Sequence, residues 1–209
     1  MIHKAKSPVF DELGFKTHKS VEFLDYWDSL PKIDGIPSRR DFDPCEQGPV
    51  LSSYVIHDLI TPDFIRVRLA GTDIREQYGF ETTGQNYLDF VDDWRRETAS
   101  RSIFLICEHP CGLLASLRTE TKSGRVMENE SIGLPMRDNS GAARLVYYQS
   151  NMIDIEAFRE PSEDEILKID VVSERYFDIG GGVPAFNQID YLEETGLRRA
   201  HQDKEVLEK

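Results

Sequence analysis

FIRVRLAGTDIREQYGFETTGQNYLDFV, residues Phe64 to Val91, is the stretch whose reading decides the fold. Ile65, Val67 and Leu69 alternate with Phe64, Arg66 and Arg68, the period-2 pattern of a strand with one apolar face and one wetter face. Gly71 ends it. Thr72 or Asp73 can cap a helix, Glu76 stands in capping-box position three residues after Asp73, and Gly79 supplies a left-handed stop. That helix has barely two turns. After a second turn at Thr83-Gly84, the spacing of Tyr87, Leu88, Phe90 and Val91 suits one side of another brief helix. Two short helices around a glycine turn are unlike the single helix of a parallel crossover unit.

Upstream, residues 1 to 19 mix charge, Pro8 and Gly14 without period and read as an arm. Ser20 can cap a helix in which Val21, Phe23, Leu24, Trp27 and Leu30 recur at helical spacing, stopped by Pro31. Pro31, Gly35, Pro37 and Pro44 then make an extended, turn-rich segment carrying Arg39 and Arg40. Those arginines either grip an anion or pair with Asp41, Asp43 or another carboxylate, the second reading being favoured. Leu51 to Ile60 reads as a strand, and Thr61-Pro62-Asp63 turns it into the strand at Phe64 as an antiparallel hairpin. His57, in the first of these strands, is expected to pack or to face the surface.

Downstream, Asp92 or Asp93 caps a longer helix to about Glu108. Its start, WRRETASR, is polar and its end, SIFLICE, is apolar on nearly every side, so its last two turns are expected to be buried. Pro110 stops it. Gly112 to Thr119, Arg125 to Met136 and Ala142 to Ile155 then read as three strands joined by turns at Lys122-Ser123-Gly124 and Asp138-Asn139-Ser140-Gly141, a meander. Ile132, Leu134 and Met136 share one face of the second strand; Leu145, Tyr147 and Gln149 share one of the third. A Gln and a Tyr among aliphatic residues have the composition of a small-molecule pocket, although Tyr147 filling core serves the pattern equally well. Residues 156 to 165 read as an acidic linker, Ile166 to Ile179 as a weak strand, Phe186 to Glu194 as a helix, and the charged tail beyond Leu197 as frayed. Gly180-Gly181-Gly182 lacks the lysine of a phosphate loop and precedes Pro184, so it reads as a flexible turn.

The motif order resembles the PAS fold, and more narrowly a divergent PAS-domain family of small bacterial proteins common in alphaproteobacteria. FLDYWDSLPKIDGIPSRRDFDP (Phe23 to Pro44), the RLAGT strand end with YGFETTG, and ESIGLPMRD (Glu130 to Asp138) carry the resemblance, over most of residues 20 to 150. It implies an α+β, PAS-like fold: a five-stranded antiparallel sheet flanked by short helices, with a leading helix and a C-terminal extension. The expected division is an arm at 1–19, a PAS-like domain at 20–155 and an extension at 156–209. The implied function is a sensory or regulatory module in signal transduction, in which a small molecule or partner protein shifts the packing of the leading helix and hence the geometry of a homodimer. Tyr78, Phe104, Cys107, Leu134, Met136, Tyr147 and Gln149 are the pocket candidates. Phe23, Trp27 and Leu30 are the interface candidates.

With 25 basic against 38 acidic residues in 209, a net charge of −13 disfavours nucleic acid and anionic membrane surfaces as partners. No apolar run reaches the ~18 residues of a membrane span and no signal peptide is visible, so a cytoplasmic location is expected. Three cysteines suit a reducing compartment. Cys107, His109 and Cys111 could share a zinc only with further ligands that the pattern does not supply, and no metal is expected. No haem-ligand or flavin-cysteine motif can be matched, leaving the cofactor open. Without a nucleophile elbow or a paired base, no enzyme activity is expected. A ligand-free adaptor is the alternative; a small enzyme on an α+β cone, needing a buried carboxylate on an inward strand position, ranks last.

Overall fold

The computed structural model describes residues 13–155 and 166–196. The expected arm up to residue 12, the linker at 156–165 and the tail from 197 lie outside the described residues. Helix α1 (His18–Ser29) is capped by Thr17, whose side chain accepts from the Ser20 N–H, so the cap falls three residues before the one the sequence suggests. A two-residue hairpin follows, β1 (Lys32–Ile33) and β2 (Ile36–Pro37), turning at Asp34 (φ 49°) and Gly35 (φ 77°). Positive φ at both central positions is what a tight hairpin turn requires. Helix α2 (Pro44–Gln47) and a 3-10 turn (Gly48–Ser53) lead to strands β3 (Tyr54–Thr61) and β4 (Phe64–Ala70). Helix α3 (Thr72–Tyr78) ends on Gly79 in the left-handed region, and 3-10 turns at Tyr87–Phe90 and Asp93–Arg95 precede helix α4 (Arg96–Glu108). The long strands β5 (Cys111–Thr121), β6 (Val126–Arg137), β7 (Ala143–Ile155) and β8 (Ile166–Asp178) come next, then helix α5 (Gln188–Glu194).

Six strands form one antiparallel sheet in the order β4-β3-β7-β6-β5-β8. Five of them are the expected hairpin and meander. The sixth, β8, extends the sheet by pairing with β5 from Cys111↔Asp178 to Thr121↔Ile166.

Strand alternation divides the side chains between two layers. On one face Ile132, Leu134, Met136, Leu145 and Tyr147 pack against Phe23, Leu24 and Trp27 of α1. On the other, Leu113, Val146, Tyr148 and Tyr176 meet Ile103, Ile106 and Cys107 of α4, whose helical spacing gives one stripe toward the sheet. Two glycines let aromatic rings lie flat on the strands: a Cβ on Gly133 would sit 2.4 Å from its cross-strand neighbour Tyr148, and one on Gly112 2.1 Å from Phe177. Gly71 is needed because Ser52 O lies 2.1 Å from where its Cβ would be.

Candidate functional site

The sheet face toward α4 is not fully packed. Between it and α3, the two 3-10 turns, α4 and α5 lies a cavity of about 100 Å³, well above the ~10–15 Å³ that one water needs. Val55, His57, Val67, Leu113, Ala115 and Tyr148 form its sheet floor, with Ile74, Tyr78, Tyr87, Phe90 and Ile103 above them. This is an apolar body with a few polar groups at fixed positions, the composition of a small-molecule site.

His57 stands on β3 between the rings of Tyr87 (centroids 4.6 Å apart) and Tyr148 (5.0 Å). Its Nδ1 is buried with no hydrogen-bond partner among the described residues. Burial pushes its pKa down to about 3, so the ring is a neutral imidazole at ordinary pH. At the far end of the cavity a polar group gathers. Arg95, 3% exposed, donates from Nη2 to Ile169 O at 2.7 Å while its Nε finds no partner among the described residues. Glu174 on β8 accepts from Ser102 Oγ (2.9 Å), the Gln188 N–H (3.4 Å) and Gln188 Nε2. Burial raises the Glu174 pKa, against the opposing pull of those bonds and of the Arg95 charge. Tyr176 Oη donates to Ser102 O at 3.0 Å.

Helix α5 closes this end. Asn187 caps it, accepting from Ile189 and Asp190 N–H groups and donating to Glu174 O, and the preceding Phe186 ring carries the Arg101 guanidinium at 4.5 Å. Asn129 Oδ1 and Gln188 Oε1 complete the set of buried atoms on cavity-lining residues that lack a partner among the described residues. An unpaired buried polar atom costs about 1–3 kcal/mol, so these positions favour an occupant that bonds to them. Gln77 and Ser150 line both this cavity and an outer cleft bordered by Lys19, Asp73, Glu76 and Arg125, which marks the way in.

The same strands hold α1 from the opposite face. Asn129 and Ser131 line the cavity; between them Glu130 points the other way. Its carboxylate accepts from the N–H groups of Lys16 (2.6 Å) and Thr17 (3.1 Å) and from Ser20 Oγ (2.7 Å). On β7, Ser150 lines the cavity while Gln149 and Asn151 face α1, Gln149 donating to Ser53 Oγ (2.9 Å) and Asn151 to Thr17 Oγ1 (2.9 Å).

Of the pocket candidates read from the sequence, Tyr78 lines the cavity, where burial raises its pKa. Phe104 and Cys107 belong to the packed layer beside it; Cys107 Sγ donates to Leu145 O at 3.5 Å, and burial pushes the thiol pKa up. Leu134, Met136, Tyr147 and Gln149 lie on the α1 face, away from the cavity. Phe23, Trp27 and Leu30 are buried on the chain's own sheet, with Trp27 Nε1 donating to Pro135 O at 3.0 Å. The apolar strand faces are the packed ones. On β6 the cavity side is marked by the polar Asn129 and Ser131, alternating with Glu130 and Ile132, and that alternation is the signal that points to it. Asp178 fills the triple glycine itself, its Oδ1 accepting from Gly180 (2.7 Å) and Gly182 (2.8 Å) N–H groups.

A family model described as PAS domain matches residues 15–147. Similar solved structures include an RNA-binding light-oxygen-voltage receptor (TM-score 0.41, 18% identity, 60% of this chain and 36% of that one). Another is a variant of the light-oxygen-voltage protein RsLOV (TM-score 0.39, 14% identity, 55% of this chain and 66% of that one). The chain thus spans about a third of the length of the first and about two thirds of the second. No curated protein matches it.

Proposed function

The chain belongs to the PAS domain family, and from that premise we propose that it is a sensory module whose α4-side cavity takes a small, mostly apolar molecule and reports its presence through α1. One observation carries this reading: a largely apolar cavity with His57 Nδ1, Asn129 Oδ1, Gln188 Oε1 and Arg95 Nε left unpaired beside it among the described residues. The ligand is a largely neutral molecule with N–H or O–H donors for the acceptors among these. Near His57 the lining groups are neutral, and at the far end the Arg95 charge is already set against Glu174.

Reporting runs through the sheet. A ligand that shifts Asn129, Ser131 or Ser150 shifts Glu130, Gln149 and Asn151, which alternate with them and hold the start of α1. It biases the position of α1 only to the degree that it binds one arrangement better than the other. The apolar stripe of α1 is covered by the sheet, so a homodimer of this chain joins through another surface. Glu174 is the buried inward-strand carboxylate that the enzyme reading asked for; its bonds from Ser102 and Gln188 suit a fixed wall of a binding cavity, and this reading gives it no catalytic role. Among the described residues no helix is long and apolar enough to cross a membrane.

The test is to purify the protein, record its absorbance, and identify by mass spectrometry what leaves on denaturation. A stoichiometric small molecule supports the sensory reading. A protein that purifies empty and binds no member of a metabolite library supports instead an adaptor that holds no ligand.

A further inference from the structure

On the α1 face of the sheet, beyond the helix, the fold brings together arginines that are far apart in sequence. Asp58 of β3 has a fully buried side chain, and three guanidiniums converge on it: Arg66 and Arg68 from β4 and Arg144 from β7. Arg144 Nη2 stands 2.8 Å from Asp58 Oδ1, and its Nε stands 3.0 Å from Asp138 Oδ2. Arg68 Nη1 stands 3.5 Å from Asp58 Oδ2. Arg39, whose N–H donates to Arg137 O and so lays its loop against the end of β6, brings its guanidinium near the Tyr147 hydroxyl, which also feels the Arg68 charge. The three arginines on Asp58 remain 37–41% exposed, so their outer edges face solvent.

One buried carboxylate needs one guanidinium. Here three arginines meet Asp58 and Asp138, an excess of one positive charge, and the nearby Arg39 adds another, on a chain whose net charge is −13. Asp58 Oδ2 accepts from Arg66 and Arg68 and holds these two forks from beneath, so little freedom is lost when their outer N–H groups bind. The Tyr147 hydroxyl, beside Arg39, has an O–H to donate.

We propose that Arg39, Arg66, Arg68, Arg144 and the Tyr147 hydroxyl form a binding site for a compact oxyanion, a phosphomonoester group. Planar guanidinium forks match the oxygens of such a group. The overall negative charge repels a long polyanion such as RNA but is overcome at short range by local excess charge. The group comes either from a phosphorylated side chain of a partner protein or from a small free phosphate compound. The site lies across the sheet from the cavity and does not depend on what fills it.

Titration calorimetry at fixed ionic strength tests this on the full chain with inorganic phosphate, a phosphoserine peptide, its unphosphorylated twin and a short RNA. Phosphate is expected to bind, and Arg39→Gln to weaken it about tenfold through loss of one charge-assisted bond. A phosphopeptide that binds tighter than inorganic phosphate, with its twin silent, identifies a partner protein as the source; equal affinities identify a free phosphate compound. Arg39 does not contact Asp58, so Arg39→Gln leaves the buried cluster intact, and thermal melting verifies it. Phosphate affinity unchanged by Arg39→Gln and by Arg68→Gln, no phosphate binding, or RNA binding that exceeds phosphate binding overturns the proposal.

Discussion

Replacing His57 by phenylalanine should make the protein more stable and change how that stability depends on acid. The imidazole is 5% exposed, lies between two tyrosine rings, and has a ring nitrogen with no partner among the described residues. Phenylalanine keeps the ring contacts, removes the unpaired atom, and can extend into the adjoining cavity. A gain of about 1 kcal/mol at pH 8 follows, at the low end for an unpaired buried polar group. The pH effect is larger. With a folded pKa of about 3 against about 6.5 unfolded, the unfolded chain binds one more proton between those values, so stability is present above pH 6.5 and lost as pH falls toward 3. At pH 5 the difference is about 1.5 units, and at 1.36 kcal/mol per unit His57 costs about 2 kcal/mol that it does not cost at pH 8. Glu174, whose pKa is raised by burial, has the opposite sign: its contribution is present at low pH and lost as pH rises through its folded value. It is common to both proteins and cancels between them. Urea unfolding of the ligand-stripped proteins, followed by Trp27 and Trp94 fluorescence, reads the difference. With a slope near 2 kcal/mol per molar urea, the midpoint gap between variant and parent should widen by about 1 M from pH 8 to pH 5. A gap that stays the same at both pH values refutes a buried neutral His57.

Three further outcomes follow from the packing. Gly71→Ala should cost about 3 kcal/mol or more, because the new methyl meets the Ser52 carbonyl, and backbone cannot yield as a side chain would; thermal melting measures it. Glu130→Ala should cost about 3 kcal/mol by unpairing the N–H groups of Lys16 and Thr17 together with Ser20, and hydrogen exchange should quicken over the first turn of α1 while β5 stays protected. A thiol titration of the native protein should find one fast cysteine, exposed Cys45; Cys107 and Cys111 are buried, with the Cys111 pKa pushed up to about 12, and should react only on unfolding.

The order of elements was legible because each boundary has a local cause. Gly79 does adopt the left-handed stop, and the meander turns fall where Gly124 and Gly141 take positive φ. Strand β8 was faint for an equally local reason. At a bulge its pairing skips Val172, which is 47% exposed, so the cavity-facing parity passes from Val171 to Glu174. A period-2 pattern cannot survive that shift. Glu174, the carboxylate at the far end of the cavity, was hidden with it. The cavity face was obscured on β6 and β7 by a different effect: apolar alternation there reports the tightly packed side, whereas the strands turn Ser131 and Ser150 toward the hollow. His57 looked ordinary because the Tyr87 and Tyr148 rings that enclose it come from distant segments. The arginine cluster joins residues of the 38–42 loop, β4 and β7, and nothing in sequence places them together.

The most direct measurement is native mass spectrometry of the parent protein beside Ala115→Trp, in which an indole grown from the β5 floor fills the cavity. A small-molecule adduct on the parent, absent from a variant that retains its circular dichroism and melting cooperativity, is the predicted result. The same spectrum from both proteins would contradict a ligand held on the α4 face of the sheet.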